Sequence, residues 1–335
     1  MASHSQWFRD IVQRSRAVRA EATGWGRYGI KPPRRERAAI VTDSSCSLPA
    51  DVLTLPVGSH LRTVPMPVMV GDQIYSEGTE ELSAQLPLAL AAGTAVKTSR
   101  PAPGAFADAY TELAREGYGS IIAVVLSGRL SGTADAARLA AGESRIPVQV
   151  IDSETTGMAL GTAVLDGLLR SRNGLPAEEM ARLITTSARA SRVFFTVPNL
   201  EQLRRGGRIG ALAGLLGQLL QVKPVLTLNN GAVALLDRPR TTARAIDSLI
   251  RQVRQETAQR PSRVAVHGYG NMDAAHELAG RLAADSTLTV PVIPLPAVLA
   301  AHLGLGALGV TVSPDFTLPE FLQDGPPEPT APPTD

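Results

Sequence analysis

Ser127, Ser131 and Thr133 stand in the run SGRLSGTADAARLAA, directly after the aliphatic stretch GSIIAVVL. Hydroxyls and glycines are thus gathered where a strand hands over to an Ala-rich helix. Three chemistries use such a place: a phosphate loop, a serine nucleophile, or a cradle for another anion. A phosphate loop of the G-x-x-x-x-G-K-[ST] kind is missing, and the one G-x-G-x-x-G match, Gly304, Gly306 and Gly309, precedes a strand. A dinucleotide fingerprint must instead follow a strand and open a helix, so crowding of the backbone beside His302 is the better reading of those glycines. No G-x-S-x-G elbow is present either, and a base for Ser127 or Ser131 would have to be His267, His302 or His60, each remote in sequence. An esterase or acyltransferase built on either serine stays open as an alternative.

The third chemistry needs only donors. A helix N-terminus exposes free N–H groups and the positive end of a dipole, and hydroxyls beside it add donors without charge. Ordinary N-capping by Ser131 or Thr133 would use the same groups. A second hydroxyl pair, Thr98 and Ser99, stands before a helix start marked by Pro103 in KTSRPAPGAF. Loops at the C-terminal edges of parallel strands converge on one crevice. The two loops, joined by Asp43-Ser44-Ser45 after the first strand, would form a pocket rich in donors and poor in proton-transfer groups.

The elements that must hold these loops alternate. AAIV, SIIAVVL and VQVID read as strands, PGAFADAYTELAREG and TADAARLAA as helices, so βαβ units and a mainly parallel sheet are expected. VPMPVMV is a further strand whose prolines point to an edge position. Beyond TTGMALGTAVLDGLLRSR the pattern changes: QVKPVLTL and AVALLDRP flank Asn229-Asn230-Gly231, a hairpin signal. RVAVHG, TVPVIPL and LGVTV add strands between helices. We expect an α/β fold of two domains, a parallel-sheet three-layer domain over 38–160 and a mixed-sheet two-layer domain over 161–316. A basic N-terminal extension, 1–37, and a Pro-rich disordered tail, 317–335, flank them.

Composition narrows the function. Of 335 residues, 44% are hydrophobic and only 4% aromatic, so the core is aliphatic and base stacking is a poor default. Residues 1–37 carry nine Lys or Arg against three acids, which leaves the remainder slightly acidic although the net charge is +2; no nucleic-acid partner is expected. The arm reads as a solvated extension, with peripheral membrane contact as the functional alternative. A single cysteine, Cys46, excludes an internal disulfide framework, and the histidines His4, His60, His267, His276 and His302 show no metal-ligand spacing. No apolar run reaches the roughly 18 residues of a membrane span. A cytoplasmic monomer without metal or cofactor is expected.

Eight segments taken together resemble the DegV family of fatty-acid-binding proteins: IVTDSSCSLP, VPMPVMVGDQIYSEG, KTSRPAPGAF, LSGRLSGTADAA, VIDSETTGMALG, LEQLRRGGRIG, QVKPVLTLNNGAV and HLGLGALGV. The resemblance implies two α/β domains around an apolar tunnel for one long-chain fatty acid. It further implies a carrier without turnover of its own, whose ligand carboxylate is phosphorylated by a separate fatty-acid kinase. By motif, the head-group residues are Thr98, Ser99, Ser127, Gly128, Ser131, His302 and an arginine of the RGGR turn, Arg205 or Arg208. Arg240 matches a basic position associated with the kinase contact. A sensing adaptor for lipid or another anion, without a kinase, is a further alternative. Where the family often reads S-S-G-L-S-G, this chain has Ser127-Gly128-Arg129-Leu130-Ser131-Gly132, and Arg100 stands where Gln is common. The Gly128 N–H could replace the missing hydroxyl; Arg129 could pair with the carboxylate or face solvent. An aliphatic stretch, IGALAGLLGQLL, would form tunnel wall or plain core helix.

Overall fold

The computed structural model describes residues 7–13, 33–49, 52, 58–171, 175–210, 212–214, 222–284 and 289–316. A four-stranded sheet is parallel throughout. It is built from β1 (Ala38–Asp43), β2 (Leu61–Val64), β6 (Ser120–Val125) and β7 (Val148–Asp152), in the order β2-β1-β6-β7. Alternation along β1 and β6 sends Ala39, Val41, Ile121 and Ala123 to one face and Ile40, Ile122 and Val124 to the other. On the first face lie α2 (Pro103–Arg115) and α3 (Thr133–Ala141); on the second lie α4 (Gly157–Ser171) and α5 (Ala177–Ala190). This is the three-layer arrangement expected.

A small antiparallel sheet, β4-β3-β5, joins β3 (Pro67–Val70), β4 (Gln73–Ser76) and β5 (Val96–Thr98), with α1 (Glu80–Ala91) between β4 and β5 in the chain. The expectation of an edge for the proline-bearing VPMPVMV is corrected here: β3 is the central strand. Pro67 is its first residue, and its missing N–H therefore costs no bond within the strand.

The second sheet is mixed and six-stranded, in the order β10-β9-β8-β13-β11-β12. Its strands are β8 (Arg192–Thr196), β9 (Val225–Asn229), β10 (Ala232–Asp237), β11 (Ser262–Gly268), β12 (Val292–Pro294) and β13 (Leu308–Pro314). Between β9 and β10 the turn residues Asn230 (φ 46°) and Gly231 (φ 77°) both take positive φ, the two-residue hairpin the Asn-Gly pair demands. One sheet face packs on α7 (Thr242–Gln259) and α8 (Met272–Ala283) through Phe194, Val264, Val266 and Val310. The opposite face meets α4 and α5, so these two helices serve both sheets. The boundary expected at 160 falls inside α4. Short helices α6 (Glu201–Arg205) and α9 (Ala297–Leu303) complete the second half.

Asp166 of α4 is fully buried; both its oxygens accept from one Arg263 nitrogen (2.9 and 2.8 Å), which also donates to the Pro314 carbonyl (2.8 Å), and Ser187 of α5 donates to it as well (2.7 Å). Arg263 also approaches Asp315 (3.7 Å), and Arg170 donates to the Phe316 carbonyl. This ion cluster ties β11 and the end of β13 to the helices shared by both sheets.

Residues 7–13 are helical, and Trp7, Phe8 and Ile11 are buried in the first half's core. This part of the arm, expected to be solvated, is core instead, because three large apolar side chains lie on one helical face. Residues 14–32, most of IGALAGLLGQLL and the tail from 317 lie outside the described residues. Among the described residues no helix is long and apolar enough to cross a membrane.

Candidate functional site

A narrow cavity of about 90 Å³ lies between the two halves. Its floor is the second face of the mixed sheet. Register places Phe195, Gly309 and His267 side by side on β8, β13 and β11, with Val193, Thr311 and Ala265 in the next row. Gly309 carries no side chain there and leaves depth. Over this floor stand Leu126 and Leu130 around the serine loop, Met66, and the apolar residues of α6 and α9: Leu203, Val298, Leu299 and Leu303. The walls are overwhelmingly aliphatic, as the aromatic-poor composition requires.

Among the polar side chains that interrupt them are Thr98 at the end of β5, Ser131, Arg208 after α6, and His302 in the last turn of α9. Thr98 Oγ1 lies 2.7 Å from His302 Nε2. His302 Nδ1 is buried without a partner among the described residues. It rests against Gly206 of the RGGR turn, where any Cβ would overlap the ring. Burial, and then the charge of Arg208, hold His302 down at a pKa of about 4, so it is neutral at pH 7. Arg208 donates to the Leu130 carbonyl from Nε (3.0 Å) and to the Gly206 carbonyl from Nη1 (2.5 Å), and burial lowers its pKa. A guanidinium, a neutral imidazole and hydroxyls gathered in an apolar cavity have the chemistry to hold a single anion such as a carboxylate. Neither Ser127 nor Ser131 is hydrogen-bonded to a histidine, so the described residues contain no assembled nucleophile–base pair.

The remaining sequence candidates lie elsewhere. Ser127 is fully buried and its hydroxyl donates to the Gly231 carbonyl (2.7 Å), tying the serine loop to the β9–β10 turn. The Gly128 N–H donates to Asp152 Oδ1 (3.0 Å), and Arg129 is exposed; of the two orientations open to that arginine, it takes the solvent one. Ser99 is half-buried outside the cavity walls, its N–H bonded to the Pro67 carbonyl. Arg205 pairs with Glu201 on the exposed side of α6 (2.7 Å). Arg240 is exposed before α7. Ser131 and Thr133 share a hydrogen bond (2.9 Å), and neither hydroxyl caps α3, which begins after Gly132 without a side-chain cap.

Two cavity residues were not among the head-group residues expected from the sequence, where His267 entered only as a candidate base for a serine. Thr156, in the ETTG turn before α4, lines the cavity with its hydroxyl buried and without a partner among the described residues. His267 lines it from β11, its Nε2 accepting from the Met158 N–H (3.1 Å) and its Nδ1 2.9 Å from the Ile293 carbonyl. An acceptor at Nε2 fixes the proton on Nδ1, and burial pushes the pKa down to about 4.

The DegV family model, described as an uncharacterised protein family, matches residues 37–315. The chain belongs to the DegV family. A DegV domain-containing protein of Streptomyces coelicolor is 38% identical over 277 residues, covering 82% of this chain and 98% of that one. Among solved DegV structures, a fatty-acid-binding family protein from Thermus thermophilus superposes with a TM-score of 0.77 at 32% identity, covering 83% of this chain and 99% of its own. DegV of Bacillus subtilis, described as a fatty acid binding protein, gives 0.73 at 26%, with 83% and 99% covered. The parallel sheet of the first half and the mixed sheet of the second are those of the DegV fold.

Proposed function

We propose that this DegV chain is a cytoplasmic carrier that binds one long-chain fatty acid in the cavity and presents its carboxylate to a separate fatty-acid kinase. The observation that carries the proposal is the apolar cavity between the halves, with Thr98, Ser131, Arg208 and His302 among its polar groups. Each buried methylene gains about 0.8 kcal/mol, so the acyl chain supplies most of the affinity. The polar groups then offset the carboxylate's desolvation and select it over uncharged ends. Fatty-acid binding in the relatives from Thermus thermophilus and Bacillus subtilis supports the same ligand class. The kinase partnership rests on the family resemblance and on Arg240 standing exposed where a partner would reach it. Chemistry on the carboxylate falls to that partner, because the histidines at the cavity are engaged by Thr98, Ile293 and Met158 rather than by a serine.

The test is native and denaturing mass spectrometry of the purified protein, with extraction and reloading by oleic or palmitic acid. A one-to-one complex is expected, and an empty protein that takes up no long-chain acid refutes the proposal. Loaded protein mixed with a fatty-acid kinase, ATP and magnesium is expected to yield acyl-phosphate, trapped as the hydroxamate. Arg240→Glu is expected to slow that step without changing acid binding.

A further inference from the structure

α9 carries His302 and three of the apolar cavity residues, yet it has only seven residues and begins at Pro296, whose side chain offers no cap. A helix under two turns is not stable alone, so its position must be imposed from outside. Its two leading N–H groups, of Ala297 and Val298, donate to the two carboxylate oxygens of Glu77, at 2.9 and 2.6 Å. At the other end His302 meets Thr98 at 2.7 Å. Glu77 follows β4 and Thr98 ends β5, so both holds come from the small sheet.

The spans match. Val68 of β3 is in register with Tyr75 of β4 on one side and Thr98 of β5 on the other. Two interstrand steps make roughly 10 Å across that rung. Five residues of helix from Ala297 to His302 rise roughly 7.5 Å. Glu77 is itself fixed: its N–H donates to the Met66 carbonyl, and Gly78 at φ +87° turns the chain directly into α1. No cation is paired with this carboxylate among the described residues; three backbone N–H groups, of Ala297, Val298 and Gly78, oppose the rise in pKa that its burial causes.

We infer that Glu77 is a positioning residue for the head-group site, holding α9 so that His302 stays against Thr98 and facing the bound anion. This rests on the fatty-acid reading above. Glutamine keeps the shape but offers one acceptor oxygen and turns an NH₂ toward the second helix N–H, so Glu77→Gln is the discriminating change and Glu77→Ala the full loss.

The experiment compares wild type, Glu77→Gln and Glu77→Ala for palmitic acid and hexadecanol, alongside the NMR titration of the His302 imidazole in ligand-free protein. Palmitic acid is expected to bind roughly tenfold more weakly to Glu77→Gln, and weaker still to Glu77→Ala, on the scale of a lost charge-assisted hydrogen bond. Hexadecanol is expected to change by less, and the His302 pKa to rise from about 4 toward the ordinary value near 6.5. Equal losses for acid and alcohol, or an unmoved His302 titration, overturn the inference. If Glu77→Ala does not fold, the Glu77→Gln protein decides on the same readouts. Wild-type protein that binds neither ligand refutes the fatty-acid reading itself, while the ligand-free His302 titration still reports whether Glu77 holds the helix.

Discussion

The 2.7 Å contact between Thr98 and His302 makes the two residues one unit, and a double-mutant cycle measures that. Thr98→Val keeps the volume and removes the hydroxyl. A hydrogen bond to a charged group contributes about 1.5–3 kcal/mol, so palmitate affinity should fall roughly 10- to 150-fold. His302→Leu removes the other partner and with it the group that orients the hydroxyl, and a loss of the same order is expected. Because each variant already spoils the shared arrangement, the double variant should be weaker than wild type by much less than the product of the single losses. A coupling of about 0.5–3 kcal/mol is the range for residues in contact. The assay is isothermal titration or displacement of a fluorescent fatty acid at pH 7, with hexadecanol as a control that lacks the charge. Additivity within about 0.5 kcal/mol, or equal losses for acid and alcohol, would refute a head-group site organised by this pair.

Three further outcomes follow from the geometry. His267 has a folded pKa of about 4 against an ordinary value of 6.5, so the unfolded chain takes up the proton first on acidification. Its contribution is complete above about pH 6.5 and drains away down to about pH 4, a loss on the order of 3 kcal/mol. Urea unfolding at pH 7, 5.5 and 4 should show a steeper slope in wild type than in His267→Gln, where His302 still contributes its own. Asp166→Asn leaves Arg263 buried with Asp315 as its remaining carboxylate, and unfolding free energy in urea should drop by about 3–5 kcal/mol. Ser127→Ala loses the tie to the Gly231 carbonyl and should cost about 1 kcal/mol of stability while leaving palmitate affinity within twofold of wild type; a larger affinity loss returns Ser127 to the head-group site.

Local signals carried much of the fold. Buried-strand runs such as SIIAVVL, the Pro103 helix start and the Asn230-Gly231 turn are each decided by near neighbours, and each formed where expected. Short elements were harder: β2 and β5 have four and three residues, too few for a period to show. The central place of β3 depends on partners distant in the chain, which no local proline rule records. The site shows the same division. Thr98, Ser131 and His302 stand in motifs whose residue types announce donors, whereas the choice between Arg205 and Arg208 is tertiary. Both sit in one RRGGR run, and only the approach of Leu130 and the presence of Glu201 send one to the cavity and the other to an ion pair. Glu77 gave no sign, since its partners lie some 220 residues away. Trp7, Phe8 and Ile11 were outweighed by the basic residues around them.

The helices α4 and α5, packed on both sheets and pinned by the Asp166–Arg263 cluster, rule out one style of motion. A layer common to both halves cannot act as a clamshell hinge, because opening would tear it from one sheet or the other. Entry of the proposed fatty acid would then proceed by local breathing of the wall around α9, like a cork rather than a jaw. Amide exchange should accordingly be fastest along that wall and slowest in the shared layer.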